Sequence, residues 1–181
     1  MTLVLVIGIG AGSLLLAGLV WSIRCPDLRL WPPKRSTLLQ KLLVWALTLL
    51  IFGSALYLGI AEWNSLGWPV ALRWAVGLPM IIMGNVVVWM GLAQIGLAAT
   101  SGEATGLRTQ GLYRYSRNPQ YVADVFILCG WLVLSASAMA LPVVVLGILV
   151  LVIAPLAEEP WLAENYGQQY DAYRSNVPRY I

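Results

Sequence analysis

The sequence predicts an all-α, polytopic membrane protein: about five membrane helices, the last two a hairpin, followed by an amphipathic C-terminal helix. Three observations carry this: long stretches without any charge, few charges in the whole chain, and basic residues gathered in alternate connections. The uncharged stretches run 1–23, 42–61, 74–102 and 125–157. Each reaches or exceeds the roughly 20 residues that cross a hydrocarbon core about 30 Å thick. Hydrophobic residues make up 60% of the 181 and charged residues 10%, against about 25% charged in a soluble domain. Inside lipid the backbone must satisfy itself, so such stretches become helices. The chain reads as one integral membrane domain, with a three-helix part over 1–98 and a chemically richer part over 99–181.

The basic residues set the expected orientation. Arg24, Arg29, Lys34, Arg35 and Lys41 flank the first connection, Arg108, Arg114 and Arg117 lie in the third, and Arg174 and Arg179 in the tail. Only Arg73 falls near the second. The positive-inside rule then puts the N-terminus outside and the segments 24–41, 99–120 and the tail in the cytoplasm, in a bacterial inner membrane rather than the endoplasmic reticulum. Charges hugging helix ends are topology signals and contacts to membrane lipids, so nucleic acid is not an expected partner.

The first helix, about 3–23, lacks the basic n-region and cleavage site of a signal peptide and reads as retained. Its Gly8, Gly10 and Gly12 are no nucleotide-binding turn, which needs a preceding strand; Gly8 and Gly12 form a small-xxx-small packing face. Pro26, Pro32 and Pro33 with Trp31 stiffen the connector 24–41. A second helix covers about 41–61, and Glu62, Asn64, Gly67 and Pro69 make a short turn between Trp63 and Trp68. A third covers about 70–98 and is long enough to tilt.

Residues 121–157 are too many for one span and too few for two spans with a turn. Ser135, Ser137 and Pro142 near the middle predict a hairpin, with helices at about 121–137 and 140–157. Pro160 suits the first turn of a new helix, and Glu158 and Glu159 before it complement a helix dipole. Leu162, Tyr166, Tyr170 and Tyr173 then recur as one face of an amphipathic tail helix. The chain has no His, which removes a common titrating base and metal ligand; no metal is expected. Cys25 and Cys129 are assigned to a loop and to mid-membrane, so a disulfide between them is not expected.

A hairpin brings its two ends together, so Arg117–Tyr121 should face Glu158–Glu159 in a pocket under the bilayer surface. The plainer alternative is that Arg114 and Arg117 anchor a helix while the glutamates cap the next. Asp124, a carboxylate inside a membrane segment, is a functional candidate by default. It could pair with Arg117, hold an amine head group and take its proton, or sit in the interface and snorkel.

From Leu107 onward the chain resembles the isoprenylcysteine carboxyl methyltransferase and phospholipid methyltransferase superfamily. The resemblance rests on Gly111-Leu-Tyr113, Arg117-Asn-Pro-Gln-Tyr121, Glu158-Glu159 with Leu162, Tyr166-Gly167, Tyr170, Tyr173 and Val177-Pro178. It implies a methyltransferase using S-adenosylmethionine on a lipidic or small hydrophobic substrate at the cytoplasmic face. Leu107, Arg108, Tyr113, Asn118, Pro119, Gln120, Tyr121 and Glu158 would hold the cofactor; the catalytic candidates are Arg117, Asp124 and Glu159. Carboxylates and aromatic faces suit a sulfonium cation. The chain departs from the family pattern at Asn118 and Thr105, where His is usual, and at Ala154, where the prenylcysteine enzymes carry an arginine. A prenylcysteine carboxylate is thereby a weaker expectation, leaving phospholipid amines, thiols and hydroxyls as acceptors. A sterol-reductase-like enzyme using NADPH and a non-catalytic scaffold of the same fold are the competing readings.

Overall fold

A run of apolar residues long enough to span lipid becomes a helix wherever no proline or polar cluster interrupts it, and the helices follow that rule closely. The computed structural model describes residues 1–33, 37–100 and 106–181. Lys34, Arg35 and Thr105 therefore lie outside the described residues. Four helices are long and apolar enough to cross a membrane: α1 (Thr2–Arg24), α2 (Leu38–Ala61), α3 (Val70–Gln94) and α5 (Ala140–Tyr166). Between the last two lies a shorter apolar helix, α4 (Pro119–Ser135), and a short helix α6 (Gln168–Asn176) follows α5. Among the described residues there is no strand.

Several boundaries differ from expectation for local reasons. Helix α2 begins at Leu38 rather than 41 because Thr37 and Gln40 form a reciprocal capping box, Thr37 Oγ1 accepting from the Gln40 N–H. The third helix carries a π-helical stretch at Arg73–Gly77, and a break at Gly96 (φ 79°, ψ 168°) interrupts it before Thr100.

The larger correction concerns Pro160. It does not open a new helix; α5 runs unbroken through Pro155 and Pro160 to Tyr166. A proline removes one backbone donor and kinks a helix, which a helix packed on its neighbours can absorb. Here Pro155 is fully buried, and one turn before the prolines the Val152 carbonyl accepts from the Tyr180 hydroxyl at 2.5 Å. Leu162 and Tyr166 thus belong to α5 and Tyr170 and Tyr173 to α6, separated by Gly167 (φ 50°). The expected single amphipathic face is split at that glycine.

The hairpin of α4 and α5 is the centre of the bundle. Helix α1 packs on α2 and α5, while α3 packs chiefly on α4. Leu58, Val143 and Val144, all fully buried, join α2 to α5 with Ile51 and Leu128 around them. Among the described residues α2 and α3, though consecutive, make no extended contact, so a crevice opens between them above α4.

At one end the bundle is sealed. Helix α4 stops at Ala136, in the left-handed region (φ 45°). Its last carbonyls are taken by the 62–66 turn: Asn64 N–H donates to Ser135 at 2.7 Å and Leu66 N–H to Ala136 at 3.0 Å. Arg73, 2% exposed, adds a donation to the Leu134 carbonyl at 2.9 Å and lies over the Trp63 ring at 4.6 Å. Its charge is met by the negative end of a helix dipole and an aromatic face rather than by a carboxylate.

The glycines of α1 divide as their spacing predicts. A methyl group on Gly8 would come within 2.8 Å of Ser54 and 3.0 Å of Val143, and one on Gly12 within 3.0 Å of Leu146, whereas Gly10 has nothing within 4 Å. Gly8→Leu should therefore lower the melting temperature in detergent by several degrees, an overpacking effect of about 1–3 kcal/mol. Gly10→Leu should leave it within a degree or so; equal effects would place the packing face elsewhere.

Candidate active site

The unsealed end is built by three segments that are distant in sequence: the turn before α4, the second half of α5, and the tail. Pro119 occupies the first turn of α4, where a missing N–H is no loss. The residues before it cannot continue the helix and are tied instead to the tail. Arg117 N–H donates to the Pro178 carbonyl at 3.0 Å, and Asn118 Nδ2 to the Arg179 carbonyl at 3.0 Å. One turn back, a 3-10 turn at Gly111–Arg114 presents Tyr113, whose carbonyl accepts from the Tyr173 hydroxyl at 2.6 Å. Burial pushes that hydroxyl up to about 12, so it stays protonated and donating at neutral pH. Gly111 is required there: its φ is +64° and a Cβ would lie 2.5 Å from Gln94 Oε1, which itself accepts from the Leu112 N–H.

The paired glutamates turn to opposite duties because successive helical residues point about 100° apart. Glu159, 8% exposed, faces the tail. Its carboxylate takes Arg117 Nη1 at 2.9 Å and a fork from Arg179, Nε at 2.6 Å and Nη2 at 2.8 Å. That fork raises the Arg179 pKa further, hydrogen bonding to Glu159 being the first cause. Arg117 also donates to the Tyr170 hydroxyl at 3.1 Å. Glu158 faces inward, where its Oε1 accepts from the Tyr121 hydroxyl at 2.5 Å and Trp31 Nε1 at 2.8 Å.

Between these elements lies a cavity of about 500 Å³, within the size range of small-molecule sites. Of the predicted site residues, Leu107, Arg108, Tyr113, Arg117, Asn118, Gln120, Tyr121, Asp124 and Glu158 line it together. Two do not: Pro119 is buried in the helix start, and Glu159 is turned away into its arginine pairs. Of the alternatives open for Asp124, pairing with Arg117 is not the one formed among the described residues: Arg117 is taken by Glu159 and Tyr170. Asp124 instead lines the cavity. On the tail side are the rings of Tyr166, Tyr170 and Tyr173; on the crevice side are Trp45, Leu49 and Phe52 of α2 with Val88 and Leu92 of α3.

Sequence reasoning missed the α2 and α3 wall, whose residues look like ordinary lipid-facing positions, and Trp31, which read only as part of a stiff connector. The tyrosines were singled out by spacing but assigned to a surface helix. With Arg117 neutralised by Glu159, the cavity offers a carboxylate held by aromatic donors, aromatic faces, a second carboxylate and an apolar wall, with the exposed Arg108 as its one other arginine among the described residues. Such a lining favours a cation beside an apolar body.

Residues 72–169 match the phospholipid methyltransferase family. The match covers nearly all of α3 and the whole of α4 and α5, and so includes Tyr113, Arg117, Tyr121, Asp124 and both glutamates. No match was found among curated proteins or solved structures. With more than half of its length inside that match, the chain belongs to the phospholipid methyltransferase family and is a methyltransferase-like membrane protein.

Proposed function

We propose that this protein is an S-adenosylmethionine-dependent methyltransferase acting on a lipidic or small hydrophobic acceptor. The observation that carries the reading is the carboxylate of Glu158 held by Tyr121 within an aromatic-lined cavity that continues into an apolar crevice between α2 and α3. The residues fit such a donor: Glu158 offers an acceptor to its ammonium group, and the rings of Tyr113, Tyr166 and Tyr170 offer faces to a sulfonium. Bound there, the donor supplies an electrophilic methyl group. Transfer is an in-line displacement that depends on positioning and exclusion of water more than on a strong base, so a chain without His can support it.

The remaining residues divide the work. Leu107, Arg108, Asn118, Gln120 and Tyr121 shape the cofactor side, while Pro119 sets the start of α4. Arg117 and Glu159 act as positioning residues by fixing the turn before α4 to α5 and the tail. Asp124 lines the same cavity, where its carboxylate can hold the acceptor's nucleophilic group and take the proton released when the methyl group is transferred. Trp45, Phe52 and Val88 leave the crevice apolar on both sides, which suits an acceptor arriving sideways from the bilayer. Arg24, Arg29, Arg108, Arg114, Arg117 and Arg179 cluster at this end of the bundle, which supports a cytoplasmic orientation for the site.

Four outcomes test the reading. S-adenosylhomocysteine should raise the melting temperature of the detergent-purified protein, because a ligand bound only by the native state stabilises it; protection by NADPH and not by the methyl donor or its product would overturn it. Glu158→Gln should weaken S-adenosylhomocysteine binding by more than tenfold at an unchanged apo melting temperature. Glu159→Ala, which strands two arginines, should instead lower that temperature by an amount equivalent to about 3 kcal/mol. Asp124→Asn should abolish labelled methyl transfer into a total lipid extract while cofactor binding persists; normal turnover would assign Asp124 to structure.

A further inference from the structure

The family match begins at residue 72, yet one donor to the central carboxylate comes from far upstream. Trp31 lies in the connector between α1 and α2 and donates its indole N–H to Glu158 Oε1 at 2.8 Å, the same oxygen that takes the Tyr121 hydroxyl. Among the described residues no hydrogen bond reaches the other oxygen, Oε2. Two donors on one oxygen fix the rotation of a carboxylate, and the second oxygen is then presented to the cavity in one direction.

The connector is built to hold Trp31 there. Ser22, 4% exposed near the end of α1, accepts with its hydroxyl from the N–H groups of both Leu30 and Trp31, at 3.0 and 3.1 Å, while donating to the Gly18 carbonyl at 2.7 Å. Arg29, 7% exposed, donates to the Pro26 carbonyl at 3.0 Å and is ion-paired with Glu164, two turns beyond Glu158 on α5. The connector is thus pinned to α1 at one side and to α5 at the other, and Pro32 forms part of the cavity wall. A segment serving only as a link between two spans would need none of these bonds.

We infer that the 26–33 connector is a working part of the cofactor pocket, with Trp31 a positioning residue that locks Glu158 so that Oε2 faces the methyl donor. This rests on the cavity being the S-adenosylmethionine site. A chain reduced to the matched helices would keep Glu158 but not its orientation.

The test is binding of S-adenosylhomocysteine to the full-length protein in detergent, by calorimetry, for wild type, Trp31→Phe, Ser22→Ala, Glu158→Gln and the Trp31→Phe/Glu158→Gln double variant. Loss of a hydrogen bond to a charged group predicts roughly a tenfold or greater rise in Kd for Trp31→Phe. Ser22→Ala, which leaves the indole in place but frees its backbone, should move Kd in the same direction. In the Glu158→Gln background the Trp31 substitution should add less than twofold, since its effect passes through that carboxylate. In turnover, KM for S-adenosylmethionine should rise with kcat nearly unchanged. If wild type does not bind, the cofactor reading itself fails. If wild type binds and both Trp31→Phe and Ser22→Ala bind as tightly, the connector is only a link and this inference is wrong. A full Trp31 effect retained in the Glu158→Gln background would also overturn it, since Trp31 would then act independently of Glu158.

Discussion

The working end of this protein depends on one buried carboxylate. Glu159 sits on a spanning helix with 8% of its surface exposed, and an ion there is tolerated only when fully paired. Arg117 comes from the turn before α4 and Arg179 from the tail, so the carboxylate is the point where three segments distant in sequence converge. Without it the hairpin would still pack through its apolar core, but the 111–118 turn and the tail would lose their ion pairs to α5 and keep only hydrogen bonds such as those from Asn118, Tyr173 and Tyr180. The neighbouring Glu158 can face inward because Glu159 already neutralises the nearest arginine. One residue of helical rotation separates the group that builds the site from the group that is offered to a ligand.

The two ends of the bundle contrast in how they satisfy the backbone. At the sealed end the carbonyls closing α4 are taken by backbone N–H groups of the 62–66 turn and by Arg73. This leaves the helices little freedom to part. At the open end the ties are made mostly by side chains, Asn118, Tyr173, Tyr180 and Arg179 among them. Side-chain ties surrender more readily than a backbone ladder, and the cavity lies at the end where they dominate. With α2 and α3 apart, the same asymmetry leaves a way in from the side of the bundle.

The fold was largely legible in the sequence because the bilayer imposes a length on every span. The stretch 121–157, wrong for one span or two, could only be a hairpin, and the structure has Ala136 and Ser137 at its tip. What misled was proline at a boundary: Pro160 after two glutamates matches a helix start, and nothing local says that packing will carry α5 through it to Tyr166. That Arg117, Tyr121 and Glu158 gather around one cavity was legible in the sequence; how the two glutamates divide was not. Adjacent glutamates carry the same chemistry in sequence, and only the helical phase against α4 and the tail tells which is buried in an ion pair. Trp31 was beyond reach for a different reason, since its role depends on a contact across 127 positions of chain.

Two of the three departures from the family pattern, those among the described residues, take on physical meaning in this setting. Asn118, where the family usually has His, uses its amide N–H to hold the Arg179 carbonyl. Its visible duty is to close the tail over the site, one that needs a donor but no titration. Ala154, where the prenylcysteine enzymes carry an arginine, is 5% exposed and packs with Leu19 of α1 and Ala157. A long cationic side chain there would have to displace α1, and the cavity wall does not include this position. An acceptor bearing a carboxylate would thus meet two acids, Glu158 and Asp124, and two arginines, of which Arg117 is already committed to Glu159 and Arg108 is exposed. The same lining suits an acceptor whose polar end is neutral or cationic, with the apolar remainder left in the crevice between α2 and α3.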